Sequence, residues 1–225
     1  MSVGDESRSQ THWRQSLGEE IANGPSHGAG LLAAAIGTPF LLKAAAERGS
    51  QAFTAGTWIF SATTLLLYLG SAVYHVWPRT RFKGALQVID HSAIFLLIAG
   101  TYTPFALGPL RGPWGSTILV VVWTLAILGI LLKTVKGAAH RPRLAVSLYL
   151  AMGWLVLAVI RPLAVAVPRS TLLWLTAGGL VYTAGAIFFV NDHKRYCHFV
   201  WHLFVLGGTC CHYFAVLSYA AAVIG

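Results

Sequence analysis

The chain has 225 residues, 56% of them hydrophobic and only 10% charged, with a mean hydropathy of +0.65 and a formal net charge of +9. A water-soluble domain carries about 25% charged residues, so this composition excludes a solvent-covered globule and reads as an integral membrane protein. The positive charge does not point to nucleic acid, because the lysines and arginines sit in short stretches between apolar runs, where membrane topology places them.

In chain order, residues 1–24 read as a polar cytoplasmic tail and residues 25–225 as one transmembrane domain. No cleavable signal peptide is expected, since the first apolar run begins only near Gly28. The runs predict seven helices, each long enough to cross a bilayer. The first covers about His27 to Ala46, followed by the polar loop Glu47 to Gln51. The second covers about Thr54 to Trp77 and ends in the basic turn Pro78 to Lys83. The third spans about Ala85 to Leu107, with Gly108-Pro109 and Gly112-Pro113 breaking the chain after it. The fourth covers about Trp114 to Leu132, and a basic loop runs from Lys133 through Lys136 and Arg141 to Arg143. The fifth covers about Leu144 to Ile160, with a short loop bracketed by Arg161-Pro162 and Pro168-Arg169. The sixth spans about Thr171 to Val190, the turn Asn191 to Arg195 follows, and the seventh runs from about His198 to the C-terminus. The predicted class is therefore an all-α, seven-helix membrane bundle.

Seven spans place the termini on opposite sides. The N-terminal side carries eleven basic residues: Arg8, Arg14, Arg79, Arg81, Lys83, Lys133, Lys136, Arg141, Arg143, Lys194 and Arg195. The other side carries five: Lys43, Arg48, Arg111, Arg161 and Arg169. That bias predicts a cytoplasmic N-terminus and an external C-terminus in the cell membrane.

Ionisable groups inside membrane helices are costly, by about 2.5–3.5 kcal/mol each for Asp, Lys or Arg, and those retained usually have a partner or a task. Ser71 and His75, four residues apart, share a face near the end of the second helix. Asp90 and His91 lie about one turn into the third helix, and His198 and His202 open the seventh. All three positions fall in one layer near the cytoplasmic side. Two imidazoles four residues apart can aim at one ion, and three protein ligands with an open position make the pattern of a catalytic zinc site. Imidazole favours zinc over magnesium or calcium. His75, His198 and His202 are the candidate zinc ligands. Asp90 would hold or deprotonate a water there, or orient a ligand ring, and Ser71 would hydrogen-bond the water or a substrate carbonyl. The alternative is that these groups only hydrogen-bond one another across helices.

The other histidines read more plainly. His212 is ten residues past His202, about 15 Å deeper and rotated by roughly 280°, and reads as a satisfied bundle histidine. His27 opens the first helix behind Glu20, Asn23 and Ser26, either near a helix cap or at the mouth of the site. His12, His140 and His193 read as solvated loop residues. Cys197, Cys210 and Cys211 fall in one helix and cannot form a disulfide framework.

Taken together, Glu19 to Asn23 with His27 and Gly30, the S-x-x-x-H of Ser71 and His75, Asp90-His91 leading to Gly100-Thr101-Tyr102-Thr103-Pro104, and the H-x-x-x-H of His198 and His202 with His212 resemble the hemolysin III family. That family belongs with the progestin and adipoQ receptors and, more distantly, the alkaline ceramidases. The resemblance, from about Glu19 to Tyr219, implies seven helices with a cytoplasmic N-terminus. It also implies zinc held by His75, His198 and His202, with Asp90 and Ser71 in the same centre. A zinc-dependent intramembrane hydrolase of a lipid amide or ester, linked to membrane lipid homeostasis, is the leading reading, with a membrane lipid as substrate or ligand. A membrane-state sensor or regulator with structural zinc is the second reading, and a pore-forming hemolysin the third. The short tail argues against a hormone-receptor role.

Overall fold

The computed structural model describes residues 15–134 and 142–222, and among them the chain is helical with no strand. Arg8, His12, Arg14, Lys136, His140 and Arg141, expected in the tail and the basic loop, lie outside the described residues. The helices are α1 (Leu17–Glu47), α2 (Gln51–Val76), α3 (Lys83–Leu107), α4 (Pro113–Thr134), α5 (Pro142–Trp154), α6 (Ile160–Ala166), α7 (Arg169–Val190) and α8 (Cys197–Ala221). Seven helical spans are long and apolar enough to cross a membrane, α5 and α6 together forming the fifth.

Helix α1 starts ten residues before the expected His27. Its start is set by a reciprocal cap: Ser16 Oγ accepts from the Glu19 amide at 3.4 Å, and Glu19 Oε2 accepts from the Ser16 amide at 2.8 Å. An apolar-run reading misses this segment because its inward-facing residues are polar. Glu19, Glu20, Asn23 and His27 are all buried.

The fifth span also differs from expectation. Helix continues past Arg161 to Ala166, so the predicted loop from Arg161 shrinks to the short link before α7. The break comes earlier, as a 3₁₀ segment at Leu155–Val159. Backbone groups freed inside a membrane need internal partners, and Tyr102 of α3 supplies them. Its hydroxyl accepts from the Val156 amide at 2.9 Å and faces the carbonyls of Met152 (2.9 Å) and Gly153 (2.7 Å).

The helices close into a ring. α1 packs between α2 and α8, α2 against α3, α3 against α4, α7 against α8, and the fifth span sits among α3, α4 and α7. Glycine sets the closest approach: a Cβ at Gly56 would stand 2.7 Å from the Pro104 Cα, and one at Gly100 only 2.0 Å from Thr63 Oγ1. Small residues at such crossings let membrane helices approach backbone to backbone. Large apolar side chains such as Leu32, Phe40, Val120 and Leu173 project outward, as a lipid-facing surface requires.

Polar ties join the first and last spans at both ends. At one end Glu19 Oε1 accepts from the Tyr196 amide at 2.8 Å. Tyr196 has φ 60°, a left-handed conformation that costs a non-glycine residue energy and here turns the chain into α8. At the other end Arg48 donates to the carbonyls of Tyr219 and Ala222, with its guanidinium 3.7 Å from the centre of the Tyr219 ring.

Candidate metal centre

His75 sits in the last turn of α2, and His198 and His202 in the first turns of α8. All three are buried, and one ligand atom from each lies within 4.8 Å of the others. Ring centroids are 4.9 Å apart for His75 and His202, 5.3 Å for His75 and His198, and 4.8 Å for His198 and His202. Residues 123 apart and more in sequence are thus gathered at one end of the bundle.

The hydrogen bonds behind these rings fix which nitrogens face inward. Glu20 Oε2 lies 2.7 Å from His75 Nδ1, and Lys83 Nζ holds the other carboxylate oxygen at 2.8 Å. The carboxylate accepts, so His75 donates through Nδ1, and its Nε2 is buried with no partner among the protein's groups. Ser26 Oγ lies 3.0 Å from His202 Nδ1 while its own hydrogen goes to the Asn23 carbonyl at 2.7 Å. The serine oxygen therefore accepts from His202 Nδ1–H, which again leaves Nε2 free for a ligand. Holding the outer ring nitrogen on a carboxylate or hydroxyl is how proteins orient metal-binding imidazoles.

These residues fit a divalent cation. His75 Nε2 and both nitrogens of His198 are buried with no hydrogen-bond partner. Buried polar atoms are rarely left unpaired, and three convergent imidazoles are a donor set that suits zinc, copper, iron or nickel. His27, inside α1 rather than at its cap, stacks on His202 with centroids 3.6 Å apart and planes at 8°.

Asp90 is buried and lines the same cavity as Ser71, His198 and His202. It lies within electrostatic reach of His75, Ser71 and Lys133. The Ser71 hydroxyl is buried and has no hydrogen-bond partner. His91, the neighbour of Asp90, approaches Lys133 at 3.5 Å and takes the Tyr149 hydroxyl on its backbone carbonyl. His212 also lines the cavity, but its Nδ1 is buried without a partner, contrary to the expectation that it is satisfied. Cys197, Cys210 and Cys211 are free thiols, and none belongs to the histidine cluster.

The cavity measures about 270 Å³ and runs from the cluster through an apolar channel to Leu110 and Ile118. Sequence reasoning named four residues at its polar end, Ser71, Asp90, His198 and His202, with His75 packed against them, and missed the roles of Glu20, Ser26 and Lys83. A signal was available, because Glu20, Asn23 and His27 recur at i, i+3 and i+7 and therefore mark one polar face of a helix.

The pattern of the family described as "Haemolysin-III related" matches residues 15–213. The chain is 42% identical to the "Hemolysin-3 homolog" of Bacillus subtilis (strain 168), over 91% of this chain and 96% of that protein. It is 39% identical to the "Hemolysin-3" of Bacillus cereus, covering 93% and 95%. It is 26% identical to the "Monocyte to macrophage differentiation factor" of Homo sapiens, covering 89% and 84%. No solved structure matches the chain.

Proposed function

The chain belongs to the haemolysin III family of integral membrane proteins, and we propose that it is a zinc-dependent intramembrane hydrolase acting on a lipid amide or ester. The observation that carries this reading is the burial of three convergent imidazoles at one end of an apolar cavity, with Asp90 and Ser71 facing the same space. An apolar slot takes an acyl chain, and a polar end takes its head group.

In this reading His75, His198 and His202 hold zinc. When bound, zinc polarises a carbonyl and lowers the pKa of water toward about 7. Asp90 accepts the proton of the attacking water and returns it to the leaving amine or alcohol. Ser71, with its hydroxyl unspent on the protein, hydrogen-bonds the substrate carbonyl or the water. Glu20 and Ser26 keep the two ligand rings turned inward. The apolar walls exclude bulk water from the reacting groups. The N-terminus faces the cytoplasm in this proposal, so the polar end opens toward the inner leaflet of the cell membrane. The clustering of Arg79, Arg81, Lys83, Lys194 and Arg195 at that end of the bundle supports the orientation.

A pore would need a polar path across the whole bilayer. The lining beyond the cluster is dominated by Leu, Ile, Val and Phe, which supports the hydrolase over the pore.

The test combines elemental analysis with lipid turnover. The purified wild type is expected to carry about one zinc per chain and His202→Ala to carry little. With ceramide and phospholipid as substrates, Asp90→Ala is expected to lower fatty-acid release by about 10²–10⁴-fold while keeping its zinc. Zinc without turnover on any lipid overturns the hydrolase and leaves a sensor or regulator. Absence of zinc from the wild type overturns both.

A further inference from the structure

The three candidate ligand rings are not held alike. His75 is fixed from behind by Glu20, 2.7 Å from its Nδ1, and that carboxylate is fixed in turn by Lys83. His202 is fixed by Ser26, 3.0 Å from its Nδ1. Both outer partners stand on α1. His198 lacks such support, since both of its ring nitrogens are buried with no partner among the protein's groups. Whichever nitrogen turns toward a cation, the other has no protein group behind it.

The surroundings of His198 give the reason. Its ring stands among other rings, with centroids 5.3 Å from His75, 4.8 Å from His202 and 6.0 Å from Phe189 of α7. His198 thus meets a phenyl ring where the other two ligands meet a carboxylate and a hydroxyl. The backbone beneath it is also less firmly set. His198 is the second residue of α8, in a first turn whose cap, Tyr196, has φ 60° and makes no side-chain hydrogen bond to the helix. The first amides of a helix have no partner inside it, and a side-chain cap is what usually steadies them. His202 lies one turn further in. His198 also lines the cavity beside Phe189, Asp90 and Ser71, so space lies next to its ring.

We propose that His198 is the exchangeable ligand of the centre: His75 and His202 keep the cation, and His198 yields its position to the amide or ester carbonyl oxygen of the lipid in the cavity. An imidazole tethered through its outer nitrogen must strain or break that bond to move, and such tethers strengthen metal binding. His198 moves without breaking one. The exchange releases one neutral nitrogen donor and admits one neutral oxygen donor, so charge and oxidation state are unchanged. The inference rests on the zinc and lipid reading proposed above, but not on turnover.

The test uses the full-length protein in nanodiscs, loaded with Co(II) in place of zinc. This paramagnetic ion moves the ring protons of its own ligands away from the rest of the proton spectrum. On transfer to D2O, the N–H protons held by Glu20 and Ser26 are expected to persist and that of His198 to exchange first. The His198 signals are those missing from His198→Gln. A long-chain hydroxamate, which offers oxygen donors at the head of an acyl tail, is expected to remove the carbon-bound ring protons of His198 from the shifted region and to leave those of His75 and His202 in place. Zinc affinity, read by competition with a chromophoric chelator, is expected to be about 10–100-fold higher in His198→Ala than in His202→Ala, the worth of one outer hydrogen bond. Equal protection of the three N–H protons overturns the inference, as does a hydroxamate complex that keeps all three rings or an equal zinc affinity of the two alanine variants. If the wild type takes up neither ion, the zinc reading falls with it, whereas three equivalent ligands leave the zinc reading standing.

Discussion

Glu20 shows how far apart in sequence the parts of one contact can lie. It is 55 residues from His75, yet its carboxylate holds the ring at 2.7 Å and is itself held by Lys83. Removing such an outer partner lowers metal affinity by about 10–100-fold in known sites. Glu20→Gln and Ser26→Ala are each expected to weaken zinc binding by roughly that factor in competition with a chromophoric chelator. They act on different rings, so the double variant should show close to the product of the two effects. A wild-type affinity in both single variants would mean that neither bond positions a ligand. At this scale the sequence made the histidines legible, because H-x-x-x-H and S-x-x-x-H are local spacings on one helix. The carboxylate and hydroxyl behind them were not legible, because they reach the rings only through tertiary packing of α1 on α2 and α8.

Helices α2, α3, α4 and α7, and the start of α8, were readable to within about three residues, since each run is bounded by glycine, proline or charge. The two elements that were misplaced share a cause. In α1 the first two turns carry polar residues turned inward toward the site. In the fifth span a proline beside an arginine reads as a loop, yet Pro162 sits in the first turn of α6, where a missing amide hydrogen costs nothing. The real interruption, Leu155–Val159, is uniformly apolar, and its cause is the Tyr102 hydroxyl on another helix. Tyr102→Phe takes the acceptor from the part-buried Val156 amide and the donor shared by the Met152 and Gly153 carbonyls. It is expected to destabilise the protein by about 1–3 kcal/mol, read as a lower midpoint of thermal unfolding in detergent. Gly100→Val should be harsher, because Thr63 already occupies the space of a Cβ at position 100. An unfolding midpoint for Gly100→Val equal to wild type would show that α2 and α3 can slide apart.

For the molecule as a whole, the charge bias predicts which way the ring of helices faces. A reporter that fluoresces only in the cytoplasm should be bright when fused before α1 and dark when fused after α8. A bright C-terminal fusion would reverse the orientation and carry the cluster to the outer leaflet. The seven-span architecture was legible from hydropathy alone, whereas the order in which the spans surround one another was not. That order depends on glycine contacts and polar ties between helices distant in sequence.

The ties at Glu19 and Arg48 bring α1 against α8, and the imidazole cluster is complete only where these two helices meet α2. A chain lacking α8 would keep His75 and its carboxylate partner but lose two of the three ring donors. Truncation before α8 is therefore expected to abolish ion binding altogether rather than to weaken it by degrees.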